Sequence, residues 1–168
     1  MEDHTVPAFF VDPRSDPVAI RIRGRASMYN SHLVKRFIDK AIDEGKRNFA
    51  IDFSRCVGLD STFLGTIKGV AQRLQGMHPP GSIVFCSLSG RNLENVRNVG
   101  LDCMALLDCD LAELPDSPDV MPLVGPGVSR DEFKDLVTQA HRVLAEDPRV
   151  KAMFEDVNTF LGNDPGPK

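Results

Sequence analysis

The sequence lacks the features that mark secreted and membrane-spanning proteins. No apolar run approaches the roughly 20 residues needed to cross a bilayer. The N-terminus, Met1-Glu2-Asp3-His4, is acidic and leads into no long apolar stretch, so we expect neither a secretory signal nor a membrane location. The four cysteines include no CxxC pair. Together with the missing export signal, this favours free thiols in a reducing cytoplasm.

Several enzyme and metal signatures are also missing. The chain has no Walker loop, no HExxH and no GxSxG, so we expect a protein that is not an enzyme and needs no cofactor. Cys103 and Cys109 lie near aspartates, but their spacing fits neither a zinc nor a calcium pattern, and we predict no metal site. The histidines are isolated in sequence, and we predict that each lies at the surface: His4, His32, His78 and His141.

The charge balance disfavours a role in binding nucleic acid. Twenty basic residues stand against twenty-four acidic ones, a net charge of −4. A protein that held nucleic acid through its phosphates would be expected to carry a basic excess. Hydrophobic residues make up 42% and charged residues 26% of the chain. Both values are ordinary for a globular protein, so a wholly disordered chain is not expected.

Short apolar segments alternate with amphipathic ones over the first two thirds of the chain. Val18, Ile20 and Ile22 recur with the period of two that is typical of a strand with one wet face. The same reasoning predicts strands at 18–24, 48–54, 82–88 and 104–107, and helices at 30–44, 60–76 and 89–100. Strands that alternate with helices through short loops predict an α/β fold of layers, with a mostly parallel central sheet and flanking helices.

The second predicted helix contains two glycines and begins at a polar pair. Asp60 or Ser61 is the expected N-cap, since short polar side chains accept hydrogen bonds from the first turn. Gly65 and Gly69 lie four residues apart inside the helix, where each costs up to about 1 kcal/mol relative to alanine. We predict that they allow close approach to the sheet or to a neighbouring helix.

The composition changes near residue 115. Prolines and glycines predict a linker over 115–127. Ser129 and Glu132 then form a capping box at the start of a helix, and Asp147 begins a second one. This C-terminal amphipathic pair, residues 128–162, carries apolar stripes that must be buried on the body or on a second copy, so homo-oligomerisation through these helices stays open.

Residues 51–65, IDFSRCVGLDSTFLG, carry the most specific motif. They resemble the signature of the STAS domain, the family of sulfate transporters and anti-sigma factor antagonists, in which an Asp-Ser pair opens the second helix. Gly24 and residues 99–102 match this family as well. The resemblance covers residues 8–114 and implies a STAS-like domain there. Thr62 keeps a hydroxyl where the family often has serine, and Phe63 replaces a frequent glycine.

This resemblance implies a binding module in a partner-switching circuit. Stand-alone members bind an anti-sigma factor that is also a serine kinase, are phosphorylated by it, and are reset by a phosphatase of the PP2C type. Ser61 matches the phosphoacceptor, with Thr62 as the alternative, and partner contact is implied for Asp60, Ser61, Thr62 and Phe63. From the residues alone, Ser61 and Asp60 are equally well explained as helix caps.

Two other functions stay open at this point. STAS-like domains also assemble into signalling complexes, so the protein is alternatively a scaffold that oligomerises. An apolar cavity within the α/β layers would instead make it a carrier of a small ligand.

Overall fold

The structure is a computed structural model that describes residues 6–108, 119–148 and 150–151. Its strands follow the short apolar segments of the sequence, and its helices follow the amphipathic ones. The strands are β1 (Phe9–Asp12), β2 (Val18–Ala26), β3 (Asn48–Leu59), β4 (Ser82–Cys86), β5 (Leu106–Asp108) and β6 (Met121–Pro122). The helices are α1 (Ser31–Asp43), α2 (Ser61–Gln75), α3 (Gly90–Asn98) and α4 (Arg130–Ala145).

The described strands form one six-stranded sheet in the order β5-β4-β3-β2-β1-β6. Strands β2 to β5 pair in parallel, whereas β1 pairs antiparallel with β2 and β6 antiparallel with β1. The central strands are buried because helices cover the sheet, as parallel strands require. The predicted α/β fold with a mostly parallel sheet is therefore confirmed.

Strand β3 runs further than its sequence pattern predicts. The prediction ends at Ser54, but pairing with β2 continues to Leu59. Two register shifts account for the difference: Arg21 pairs with Asp52 while Arg23 pairs with Arg55, so β3 carries an extra residue there. Such bulges break the alternation of faces, which hides the strand from a pattern of period two.

The sheet also takes in part of the predicted linker. Met121 pairs with Val11, and Pro122 with Phe10, so β6 lies within the 115–127 stretch. The Leu123 amide then donates to the Phe9 carbonyl at 2.8 Å. The described part of this stretch is therefore attached to the sheet, and the division into domain, linker and helical pair stays a prediction.

Helix α2 is buried around most of its circumference. Its buried positions include polar residues as well as the predicted apolar ones: Thr62, Phe63, Leu64, Gly65, Thr66, Ile67, Lys68, Val70, Ala71 and Leu74. A helix surrounded in this way has neighbours on more than one side. One neighbour is β1, whose Phe9 ring stacks on Phe63 with centroids 6.1 Å apart. Another is α4, which packs along α2.

The two glycines of α2 face α4, as the prediction of close approach requires. A Cβ built at Gly65 would lie 2.9 Å from the Cα of Ala140 and closer still to its carbonyl group. A Cβ at Gly69 would reach only Val143, at an ordinary 3.7 Å. Of the two glycines, Gly65 is thus the one in closer contact with α4.

The predicted capping box at the start of α4 is present. The Ser129 hydroxyl accepts from the Glu132 amide, and the Glu132 carboxylate accepts from the Ser129 amide. The second C-terminal helix falls mainly on residues outside those described. Its predicted first turn is visible where the amides of Val150 and Lys151 donate to the Asp147 carbonyl. No helix in the described ranges is long and apolar enough to span a membrane.

A buried lysine ties α2 to the end of α3. The Lys68 side chain is 5% exposed, and its Nζ donates to the Val99 carbonyl at 2.9 Å. The ammonium lies at the C-terminus of α3, where the helix dipole favours a cation.

We expect Lys68→Met to lower the free energy of unfolding by about 1–3 kcal/mol, because it leaves the Val99 carbonyl without its charged donor. Urea unfolding of the full chain measures this. Lys40→Met is the control, since Lys40 is 77% exposed in a loose 3.9 Å pair with Glu44. Equal stability of the two variants would contradict the role given to Lys68.

Candidate functional site

Asp60 fixes the start of α2 and the loop that precedes α1. One carboxylate oxygen, Oδ1, accepts from the Phe63 amide at 2.9 Å and so caps α2. The other oxygen, Oδ2, accepts from the Met28 amide at 2.7 Å. Of the two predicted caps, Asp60 is the one used. Both oxygens are engaged by backbone amides, so the residue next to it is held in a defined place.

Ser61 is the first residue of α2 and lies under α4. Its Oγ is 2.8 Å from Nε2 of His141, 80 residues away in sequence. Ser61 is half-buried, whereas the His141 side chain is only 5% exposed. The hydroxyl is therefore covered by a ring from the C-terminal helix.

The prediction that His141 lies at the surface is wrong. Its position on α4 explains why: it follows Val137 by four residues and precedes Leu144 by three, so it lies on the apolar stripe that faces α2. That spacing is the sequence signal that was available. The partner of His141 was not readable, because it depends on how α4 packs against α2.

Thr62 and Phe63 point inward. The Thr62 side chain is 1% exposed, and Phe63 is buried against Phe9. Among the predicted site residues, Asp60 and Ser61 keep partial exposure. The structure thus brings the four predicted residues together in one turn, with two at its surface and two in the core.

Burial sets the electrostatics of His141. Desolvation lowers its pKa from the ordinary 6.5, and the negative charge of Asp60 and a hydrogen bond to the Val137 carbonyl oppose this only in part. The ring is therefore neutral near pH 7 and suited to a hydroxyl partner. The hydrogen bond that raises the pKa of the ring is accepted by a backbone carbonyl, that of Val137. This differs from a catalytic triad, in which a carboxylate orients the histidine.

The described residues contain no group of three or more His, Cys, Asp or Glu side chains placed to hold a metal ion. A groove of about 580 Å³ near the start of α1 is lined by Arg23, Arg25 and His32, together with apolar side chains. It is a separate surface from the Ser61 site.

The lowered pKa of His141 makes stability depend on pH. The unfolded chain binds a proton near pH 6.5, whereas the folded chain binds it only at lower pH, so acidification favours unfolding. We expect this contribution to the free energy of unfolding to be fully present above about pH 6.5 and to be lost as the pH falls from there through the lowered pKa of His141 in the folded chain. His32, whose pKa burial also lowers, contributes in the same direction.

We expect His141→Gln to reduce this slope, because the residue that must remain neutral is gone. Denaturant titrations at several pH values measure it. His78→Gln, in an exposed turn, is the matched control and should keep the wild-type slope. An unchanged slope in His141→Gln would show that folding does not change the pKa of the His141 ring.

Comparison with known proteins shows the family of this chain. No curated protein sequence matches the chain. Among solved structures, the anti-sigma factor antagonist SpoIIAA in its unphosphorylated form has the same fold, with a TM-score of 0.51 and 21% identity. That match covers 61% of this chain and 89% of SpoIIAA. The family model of the STAS domain matches residues 11–113, more than half of the chain. The chain therefore belongs to the STAS domain family.

Proposed function

We propose that this protein is a binding module of the anti-sigma factor antagonist type, controlled by phosphorylation of Ser61. The observation that carries the proposal is the place of Ser61. Its hydroxyl is at the first position of α2, directly after the Asp60 cap. The motif around it resembles the family's Asp-Ser pair and lies within the STAS match at 11–113. The proposal takes this protein to be a regulatory domain without an enzymatic activity of its own.

The burial of the neighbouring residues supports Ser61 over Thr62 as the acceptor. The Thr62 side chain is 1% exposed, so a kinase would have to unwind the first turn of α2 to reach it. Ser61 keeps partial exposure. For the same reason, the proposed partner surface is centred on Asp60 and Ser61, and the buried Phe63 shapes it from below.

The proposed switch acts on the partner interface more than on the fold. A serine kinase transfers the γ-phosphoryl group of ATP to Oγ of Ser61, which loses its proton, and ADP leaves. The phosphate adds about −1.5 to −2 charges at neutral pH. At a helix N-terminus the dipole favours an anion by roughly 0.3–1 kcal/mol. Near Asp60, burial of the dianion against a partner without a cation would cost several kcal/mol.

The proposed partners are those that the resemblance to anti-sigma factor antagonists implies. One is an anti-sigma factor that also acts as the serine kinase, and the other is a PP2C-type phosphatase that removes the phosphate. The alternative role as an oligomerising scaffold finds no support in α4, because this helix buries Val137, Ala140 and Leu144 within its own chain.

We expect Ser61→Ala to bind the anti-sigma kinase and to remain unphosphorylated, because only the acceptor oxygen is lost. Ser61→Asp should stay folded but bind more than a hundredfold more weakly, as a cost near 3 kcal/mol implies. Phosphopeptide mapping after incubation with the kinase and ATP, together with titration calorimetry, measures both effects.

Thr62→Ala is the control for the choice of hydroxyl and should bind and be phosphorylated like the wild type. Phosphate found away from residues 61 and 62 would rule out the mechanism. So would wild-type affinity in Ser61→Asp.

A further inference from the structure

Helix α4 lies over the part of α2 that carries the proposed phosphoacceptor. His141 covers the Ser61 hydroxyl, and Ala140 packs against Gly65 one turn further along α2. A hydroxyl 2.8 Å from a buried ring nitrogen leaves no room for a phosphoryl group between them. In this arrangement the Ser61 hydroxyl is engaged by His141, although the residue as a whole keeps partial exposure.

The seam between α2 and α4 has an open groove along one side. This groove, of about 210 Å³, is lined by residues of α1, α2 and α4 that include Arg73, Leu136 and Val143. Because the Arg73 side chain is 44% exposed, the groove is open to solvent. Water therefore reaches one side of the contact between the two helices.

The segment leading into α4 has the properties of a hinge. Residues 124–127 are exposed and include Gly125, Pro126 and Gly127, and a Cβ at Gly127 would meet nothing within 4 Å. The Arg36 guanidinium donates to the Pro126 carbonyl at 3.0 Å from an exposed position. A few loop residues of this kind are enough to absorb the rotation of a helix.

We propose that α4 is an intramolecular cover of the Ser61 surface, which must leave α2 before Ser61 can be phosphorylated or contacted by a partner. The regulatory part of this inference rests on the proposed function. The cover and a partner then compete for one surface of α2. An amphipathic helix with a small residue opposite Gly65 fits that surface, because Ala140 of α4 fills that position.

The two glycines of α2 provide a matched test in the full-length chain. Gly65→Ala places a methyl group against the Ala140 backbone, whereas Gly69→Ala meets Val143 at an ordinary contact distance. Both changes raise the helix propensity of α2 by a similar amount. A difference between the variants therefore reports on the contact with α4.

Chemical access to position 61 is the direct readout. In a Ser61→Cys background, labelling by N-ethylmaleimide is followed by mass spectrometry, with fragmentation to separate residue 61 from Cys56 on the same tryptic peptide. We expect labelling to be at least about tenfold faster with Gly65→Ala than with Gly69→Ala, because overpacking of the seam favours the open state. Hydrogen exchange in the chain with native Ser61 should rise across 130–145 and stay unchanged in the central strands.

Equal labelling rates in the two glycine variants, with equal exchange across 130–145, would overturn the cover. Should Gly65→Ala fail to fold, His141→Ala replaces it, since removing the ring adds no bulk. This variant, tested by hydrogen exchange with native Ser61, should raise exchange across 130–145 relative to the wild type. Unchanged exchange in it would also overturn the cover.

Incubation with the anti-sigma kinase and ATP separates the two proposals. Faster phosphorylation of Ser61 in Gly65→Ala than in Gly69→Ala supports both of them. Faster labelling without phosphate on Ser61 in any variant supports the cover and contradicts the proposed function.

Discussion

The close crossing of α2 and α4 at Gly65 determines how the proposed site is built. With no Cβ at this position, the α4 backbone approaches α2 at Ala140. The next residue, His141, is then brought within hydrogen-bond distance of Ser61. The burial of the ring and the lowered pKa of His141 follow from the same approach. A larger residue at 65 would change all of these together.

Asp60 holds the other side of the site in place. Through its two oxygens it joins the loop before α1 to the first turn of α2. The Ser61 backbone is therefore fixed to the sheet side of the molecule, and α4 approaches it from outside. The Ser61 hydroxyl thus lies between α2, whose first turn Asp60 fixes, and α4, which is attached through the exposed residues 124–127.

Signals that act over a few residues were readable from the sequence. Val18, Ile20 and Ile22 predict β2, and the Ser129 and Glu132 pair predicts the start of α4, because alternation and capping depend only on near neighbours. Gly45 and Gly100, which follow α1 and α3, have φ of +99° and +72°, as glycines that end helices often do.

Features that depend on packing were not readable. The bulges in β3 arise from its pairing with β2, and β6 exists only because β1 offers an edge. The contact between Ser61 and His141 joins residues 80 positions apart. The motif around Ser61 predicted which residues form the candidate site, but the helix that covers it lies outside the STAS match at 11–113.

The short strand β6 has a consequence for how molecules of this protein meet in concentrated solution. An exposed sheet edge with free amides is a template for strands of other chains and a route to aggregation. Here β6 contributes only Met121 and Pro122 to that edge, and proline has no amide hydrogen to donate. At the opposite edge of the sheet, β5 spans three residues. Within the residues that the structure describes, both border strands are therefore short, which is one way in which sheets limit pairing with other chains.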